Sequence, residues 1–556
     1  MRKCEISGNE FEYSEKEQNF IFGLSFKFAG KSFSVPLINL SPDERLRERT
    51  AYRNEQYMYR NFSAVDNKPL VSIFSVDKGL KIYPQSFWFS DNWAPLSYGV
   101  AFDASRSFFE QFADLSKTVP KANMVTVDND NCEYTTGTGY CKNCYLIDSS
   151  EYCEDCYYGK LLQTCKNIVD SSYVYDSEIC YQCFNVRKCY NLKYVYNSQN
   201  CSDCSFSDNL TGCRNCYLCT NLNNQEYCFL NQKMDKESYE QKIKEFEGYD
   251  GISRALEMFS DLRKKRIYKY ANVINSQNCT GDFIRNSKEC FNCYDMTDGQ
   301  DCEYVQVGVG CKDVYDSSNM YVNPEIAYQV LGVIETFNVH FCLYVFNSSD
   351  LLYCENMYSC KNCFGCSGLR NKQYCILNKQ YTKEEYEEIV VRIIEHMENL
   401  GEWGRFFPSK YSPFAYNETL ASAYFPLTRE EAFQRGYKWK DDIDEVKENP
   451  DSISAENLPK TIQEVSDDIL RKTILCEKTK RAYRIIEQEL KFYRQHNLPL
   501  PRRHPDVRHL ERMTLRNQRR LFERNCMNCQ KSIMTTYSSD RPETIYCEEC
   551  YLKEIF

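Results

Sequence analysis

The chain has 556 residues, 42% of them hydrophobic and 27% charged, with a formal net charge of −10. It is long enough for roughly three or four domains and is not a globally basic nucleic-acid binder. It carries 32 cysteines against 5 histidines, a polar start at Met1 to Glu10 and no uncharged apolar run of bilayer length; the expectation is a cytoplasmic, reducing setting with no membrane span, in which thiols serve as metal ligands or as small buried side chains.

Residues 1–125 hold one cysteine, Cys4, followed by Phe11, Glu17 and Phe20, then Pro42-Asp43-x-Arg45-x-x-Glu48-Arg49-x-x-x-Arg53-Asn54, and later Ser75-x-Asp77 and Ile82-Tyr83. The same order returns at the far end of the chain, so this segment is expected to be a degenerate copy of the C-terminal module.

The middle holds 26 cysteines, from Cys132 to Cys375. Between 130 and 233 all are separated by multiples of three, and rows of twelve align them: Cys132, Cys144, Cys156, Ile168, Cys180, Leu192, Cys204, Cys216, Cys228 in one column, with Asn143, Asp155, Asn167, Asn191, Asp203 and Asn215 in the twelfth. A short fixed period without helical spacing predicts a β-solenoid with small inward residues and turns at the Asn/Asp column. One coil could hold one row or two. Ile168 and Leu192 in the cysteine column favour a buried ladder of free thiols. The stacked pairs Cys141, Cys144, Cys153, Cys156 and Cys201, Cys204, Cys213, Cys216 are the candidates for solenoid metal, and interior disulfides are a third option.

Residues 234–268 read as helical, with an amphipathic helix over 235–246. A second block, 269–381, repeats the first: Cys213-x-x-Cys216-x-x-Cys219 and Tyr227-Cys228 return as Cys360-x-x-Cys363-x-x-Cys366 and Tyr374-Cys375. Its period is expected to break near Cys302 to Cys311 and again around 320–340. A helix over 382–399 opens an irregular segment to 439, and each post-block helix is expected to cover an open solenoid end. Residues 440–472 then read as an acidic linker.

The C-terminal module, 473–556, ends in Cys526-x-x-Cys529 and Cys547-x-x-Cys550, with 17 residues between the knuckles. That spacing is a strong signal for tetrahedral structural Zn with four protein ligands and no open position. Upstream, Cys476, Tyr483, Glu489 and Phe492 match Cys4, Phe11, Glu17 and Phe20, and Pro505 to Asn517 matches Pro42 to Asn54. In the N-terminal copy Phe62 or Ser63, Asp66, Pro84 and Phe87 stand where the four cysteines would be, so that copy should lack the metal and be held by packing.

Cys476, Tyr483, Glu489, Phe492-Tyr493, Leu498-Pro499-x-Pro501 and His504-Pro505-Asp506-Val507-Arg508, with Gly401-Glu402-Trp403-Gly404 and Ser412-Pro413-Phe414-x-Tyr416-Asn417-Glu418-Thr419, make the chain resemble uncharacterised cysteine-rich bacterial proteins with zinc-ribbon-like ends and a CxxC-repeat middle. The resemblance implies architecture rather than mechanism. Thr479 replaces one cysteine of that pattern, and His504 and Val507 replace two more, so a second metal site would retain only Cys476 and His504.

The fold class expected is therefore mainly β with some α: two β-solenoid blocks of twelve-residue repeats, helical caps and zinc-ribbon-like modules at both ends. None of the five histidines lies in a nucleophile or zincin motif, which argues against an enzyme. The functional expectation is a zinc protein whose rigid middle is a binding or scaffold surface for a protein partner. One alternative is nucleic-acid binding through the basic end, by Arg502, Arg503, Arg508, Arg512, Arg516, Arg519, Arg520 and Arg524. The other is a multi-metal or redox protein using the stacked CxxC pairs.

Overall fold

The structure, a computed structural model, describes residues 1–441 and 450–555; the part of the expected acidic linker at 442–449 lies outside the described residues. The protein is mainly β, with about 25% helix and many parallel strands. Among the described residues no helix is long and apolar enough to cross a membrane.

Two parallel ladders occupy the cysteine-rich middle. In the first, residue i pairs with residue i+12, as in Lys160↔Ser172, Val174↔Val186 and Cys216↔Cys228. The second follows the same register, as in Cys290↔Cys302, Val339↔Leu351 and Cys363↔Cys375. Each row of twelve is thus one rung. No break occurs at Cys302 to Cys311, because Gln300 pairs with Lys312 twelve residues on. The irregularity at 320–340 is one inserted residue: Lys312 pairs with Glu325 and Ser318 with Leu331, and Val322 and Asn323 both have positive φ just before Pro324. The second ladder also starts one residue short, with Val273 facing Ile284. The short rung needs Gly281, whose φ is 135° and where a Cβ would lie 1.8 Å from the Cys293 carbonyl oxygen.

A corner recurs every third residue. From Asp128 to Leu230 every third residue has positive φ, and the pattern returns from Phe283 to Val322 and from Asn323 to Leu377. Each rung therefore has four sides of two extended residues and one left-handed residue. Asn and Asp accept that conformation cheaply, but Tyr158, Ile179 and Val307 adopt it as well. A left-handed non-glycine residue costs roughly 1–2 kcal/mol, and the hydrogen bonds of the stacked rungs offset it.

The residue after each corner points inward, and its side chain must be small and must also satisfy backbone groups aimed at the interior. Serine does both: Ser150 Oγ donates to the Asp148 carbonyl and accepts the Leu162 N–H, one rung on. Cysteine takes the same part. The Cys354 thiol donates to the Leu352 carbonyl at 3.3 Å and accepts the Cys366 N–H at 3.4 Å. A thiol fills the slot as an apolar group would, and its weak donor and acceptor keep backbone groups from being left unpaired. All 32 cysteines are free of disulfide bonds.

Both ladders end alike. Gln232–Lys233 folds back antiparallel on Cys228 and Phe229, as Lys379–Gln380 does on Cys375 and Ile376. The amide of Asn231 accepts from the Thr220 N–H and donates to the Thr220 carbonyl, and that of Asn378 does the same to Ser367. A side-chain amide thus stands in for the missing next rung, which blunts an open edge. Helix Lys236–Lys244 follows the first cap, packing Tyr239 with Tyr217 and Phe229, and helix Gly248–Lys265 continues it. Helix Lys383–Leu400 follows the second, with a capping box at Thr382 and Glu385 and buried Tyr386, Ile393 and Ile394.

The end modules share one element order. Strands Arg2–Lys3 and Glu10–Phe11, helices Glu15–Gly23 and Pro42–Thr50, hairpin Tyr59–Phe62 with Pro69–Ser72, strand Ile82–Tyr83 and helix Gln85–Trp88 recur as Ile474–Leu475, Ala482–Tyr483, Glu487–Gln495, Pro505–Met513, Phe522–Asn525, Ser532–Thr535, Thr544–Tyr546 and Glu548–Ile555. The hairpin Ser25–Phe28 with Lys31–Ser34 is extra in the first copy. The described part of the acidic segment, 450–472, does not behave as a linker. It buries Leu458, Ile462, Val465 and Ile469 against the second module, and its Ile453–Ser454 strand pairs with Ile474–Leu475.

Candidate metal centre and its anchors

Hairpin Phe522–Asn525 with Ser532–Thr535 delivers the first cysteine pair through a tight turn. The Cys526 N–H bonds the Lys531 carbonyl at 2.8 Å, the Gln530 N–H bonds the Cys526 carbonyl, and Gln530 turns the chain with φ 63°. The second pair sits at the start of helix Glu548–Ile555, where the Tyr551 N–H bonds the Cys547 carbonyl. The sulfurs of Cys526, Cys529, Cys547 and Cys550 all lie within 4.8 Å of one another, a group able to hold a metal ion. Cys526, Cys547 and Cys550 are buried and Cys529 is exposed. The Cys547 N–H points at the Cys526 sulfur at 3.2 Å. Burial works against the Cys526 thiolate, but N–H groups of Cys529, Cys547 and Asn528 outweigh it and bring this thiol down to about 6. Amides aimed at sulfur and a helix start beneath Cys547 suit thiolate ligands.

The centre lies on the junction between the ladders. Strand Thr544–Tyr546 pairs with Ile267–Lys269, the segment entering the second ladder. Tyr551, next to Cys550, contacts the first ladder through a hydrogen bond between its hydroxyl and Asn209.

The other candidate metal residues are not gathered in this way. Among the described residues the group at 526, 529, 547 and 550 is the one set of three or more ligand atoms so placed; it includes neither Cys141, Cys144, Cys153 and Cys156 nor Cys201, Cys204, Cys213 and Cys216. Those thiols are spent on carbonyls, as Cys153 is on Glu151 and Leu162, and Cys213 on Thr211 and Leu222. Cys476 and His504 also fall outside any such group. Burial of Cys476 is opposed by the Thr479 hydroxyl and the His504 N–H, which lower its pKa. Cys4 is held the same way by Ser7 and Ser41 and falls to about 7, against the effect of burial. Hydroxyls thus occupy places that a further ligand would need.

Four arginines of the basic run, Arg508, Arg512, Arg516 and Arg519, turn to the ladders, while Arg503 and Arg520 stay exposed. Arg508 and Arg512 both pair with Asp170 of the first ladder, Arg512 at 3.2 Å, and Arg516 and Arg519 both pair with Asp295 of the second, at 2.5 and 2.6 Å. Arg502 lies 3.6 Å over the Tyr249 ring and donates to the Leu458 carbonyl. Arg503 pairs with Glu477 and Glu511, Arg520 stands 3.9 Å from Asp43, and Arg524 donates to the Ser538 carbonyl. The acidic segment lies on this face through Glu456–Lys480 and Asp467–Arg494. Arg508, Arg512, Arg516 and Arg519 thus fasten the module to the ladders.

The first module uses the same device on the opposite ladder. Arg45 Nε lies 2.7 Å from Asp316 and Arg49 lies 3.6 Å from it, while Arg45 also bonds Glu17 at 2.6 Å. Its strand Ile82–Tyr83 pairs with Lys121–Ala122, the segment entering the first ladder. Each end module therefore grips the entry to one ladder and a buried aspartate in the middle of the other. Asp170 and Asp316 were missed from the sequence. Their signal is one Asp in an otherwise largely apolar column (Tyr134, Leu146, Tyr158, Asp170, Gln182, Tyr194), repeated in the second block as Tyr304, Asp316, Gln329 and Phe341.

No protein-family model matches the chain, and no curated protein matches it.

Proposed function

We propose that this is a non-enzymatic zinc-binding scaffold protein. In this reading the two ladders are β-solenoid blocks, locked together by a duplicated end module whose C-terminal copy is a zinc ribbon. The four-sulfur group carries the reading, because four protein sulfurs at tetrahedral reach leave no position for substrate. The metal would be held by Cys526, Cys529, Cys547 and Cys550, and its chemistry is to tie a short chain end to the junction of the blocks. The twelve-residue register and the corner at every third residue support the solenoid reading. A rigid double block offers a long, fixed surface to a partner protein, and 32 cysteines without a disulfide suit a reducing cytoplasm.

The test is Cys547→Ser with metal analysis. The parent is expected to bind one zinc and the variant none, with the core of both ladders still protected from hydrogen exchange. Retention of full zinc by the variant would refute the assignment.

A further inference from the structure

A cleft of about 250 Å³ opens between the two ladders, beside the metal-bearing helix. One wall is a row from the first ladder, Arg187, Gln199 and Thr211, spaced twelve residues apart on successive rungs. The facing wall carries Arg285 and Thr297 of the second ladder, also twelve apart. Rung spacing sets successive side chains about 4.8 Å apart. Tyr551, Leu552 and Ile555 of helix Glu548–Ile555 close one end.

The charge of this cleft differs from that of the chain. The protein carries a net charge of −10, yet the cleft lining includes four basic residues, Arg187, Lys269, Arg285 and Arg516, against one acid, Asp295. Asp295 is already matched by Arg516 and Arg519. Lys269 is matched by Glu548 at 2.8 Å, and Arg187 by Asp176 at 3.5 Å. Arg285 is the residue left over. It is half-buried, and among the described residues its guanidinium has no hydrogen bond and no ion pair. Arg187 and Arg285 line the same concave site, and burial and then Arg187 lower the Arg285 pKa against a smaller opposite effect of Tyr175. An unmatched, partly desolvated guanidinium beside a second one favours a doubly charged oxyanion, since guanidinium donors match phosphate geometry. Gln199, Thr211 and Thr297 extend from that point as hydrogen-bonding groups, and the volume suits a small ligand.

We propose that this cleft binds a phosphate monoester of a small hydroxyl-rich molecule, with the phosphate between Arg187 and Arg285 and the hydroxyls along Gln199, Thr211 and Thr297. The proposal gives the scaffold of the preceding section a ligand site. It rests on that reading only in that the metal holds the helix that closes the cleft.

The test is calorimetric titration of the full-length protein with inorganic phosphate, glucose 6-phosphate and glucose, with zinc content measured on the same sample. Glucose 6-phosphate is expected to bind, inorganic phosphate to bind more weakly and glucose not to bind. Arg285→Gln should weaken glucose 6-phosphate about tenfold or more and leave the unfolding temperature unlowered, because it relieves repulsion and breaks no ion pair. Arg187→Gln should have a smaller effect, because Asp176 already shares that charge. The remote Arg429→Gln should change nothing. Zinc-loaded protein that binds neither phosphate compound, glucose that binds as well as its phosphate, or an Arg285→Gln variant with parental affinity would each overturn the proposal. Phosphate binding by protein that lacks zinc would overturn the zinc assignment and leave the cleft proposal standing.

Discussion

Ser63, Asp66, Pro84 and Phe87 in the N-terminal module stand where the C-terminal module has Cys526, Cys529, Cys547 and Cys550, yet the chain turns the same way in both. The Ser63 N–H bonds the Lys68 carbonyl at 2.8 Å, as the Cys526 N–H bonds that of Lys531. Asn67 and Gln530 occupy the same left-handed corner, with φ 56° and 63°. The knuckle backbone is therefore set by its own hydrogen bonds. In the first copy the Ser63 hydroxyl accepts the N–H groups of Val65 and Asp66, and the Asp66 carboxylate accepts that of Lys68. What differs is the packing around it. The first copy runs a chain of aromatic contacts there, Phe87 on Tyr83, Tyr83 on Trp93 and Trp93 on Trp88. The second has a small core of Tyr268, Ile533, Ile545 and the cysteines themselves. A core that small needs a further tie, which a metal ion at the four-sulfur group would supply where the first copy uses aromatic rings.

The two copies should differ most on metal removal. A chelator, or Cys547→Ser, should release residues 522–555 at a cost of several kcal/mol and leave residues 59–88 untouched. Hydrogen exchange followed by mass spectrometry reads both copies in one experiment. Equal loss of protection in the two would mean that the N-terminal copy does not stand on packing alone.

Next in size are the aspartates on which the modules converge. Asp170→Ala and Asp316→Ala each leave two buried arginines facing an empty site and should cost about 3–5 kcal/mol, read as the shift in the urea midpoint. Similar losses are expected from the two. A loss confined to one would show that the duplicated geometry does not carry equal weight at both ends.

The smallest effect separates two equivalent glutamates. Burial raises both carboxyls; Glu17 has Arg45 at 2.6 Å to oppose this, whereas among the described residues no charged group faces Glu489, which rises to about 8. A carboxyl raised in the folded state favours folding fully below its unfolded pKa, near 4.5, and that contribution is lost as pH rises towards about 8. Glu489→Gln should therefore match the parent near pH 4 and become progressively more stable than it between pH 5 and 8, with the difference constant above that. Denaturation midpoints across this range check it, and a difference independent of pH would contradict it.

Much of this architecture is legible in the sequence because it rests on repetition. The twelve-residue rows, the second block, the two copies of the end module and the cysteine pairs at 526 and 547 all follow from residue identity at fixed offsets. The corners do not. Asn and Asp mark one column of turns, but Tyr158, Ile179 and Val307 turn equally, because the stacked rungs override their local preference. The partners of the arginines were also hidden. Arg508 and Arg512 look like a solvent-facing basic helix until the fold brings Asp170, more than three hundred positions away, beneath them. The segment at 450–472 reads as a linker because its acids are conspicuous and its apolar residues are widely spaced. Leu458, Ile462, Val465 and Ile469 nevertheless find a core.

In the proposed reading one cysteine group would hold metal while the ladder thiols pair with backbone. Metal analysis of the native protein, with thiol counting before and after zinc release, tests it most directly. One zinc per chain is expected, with twenty-eight of the 32 cysteines uninvolved in metal. Four or more metals per chain, or zinc retained after loss of Cys547, would contradict it.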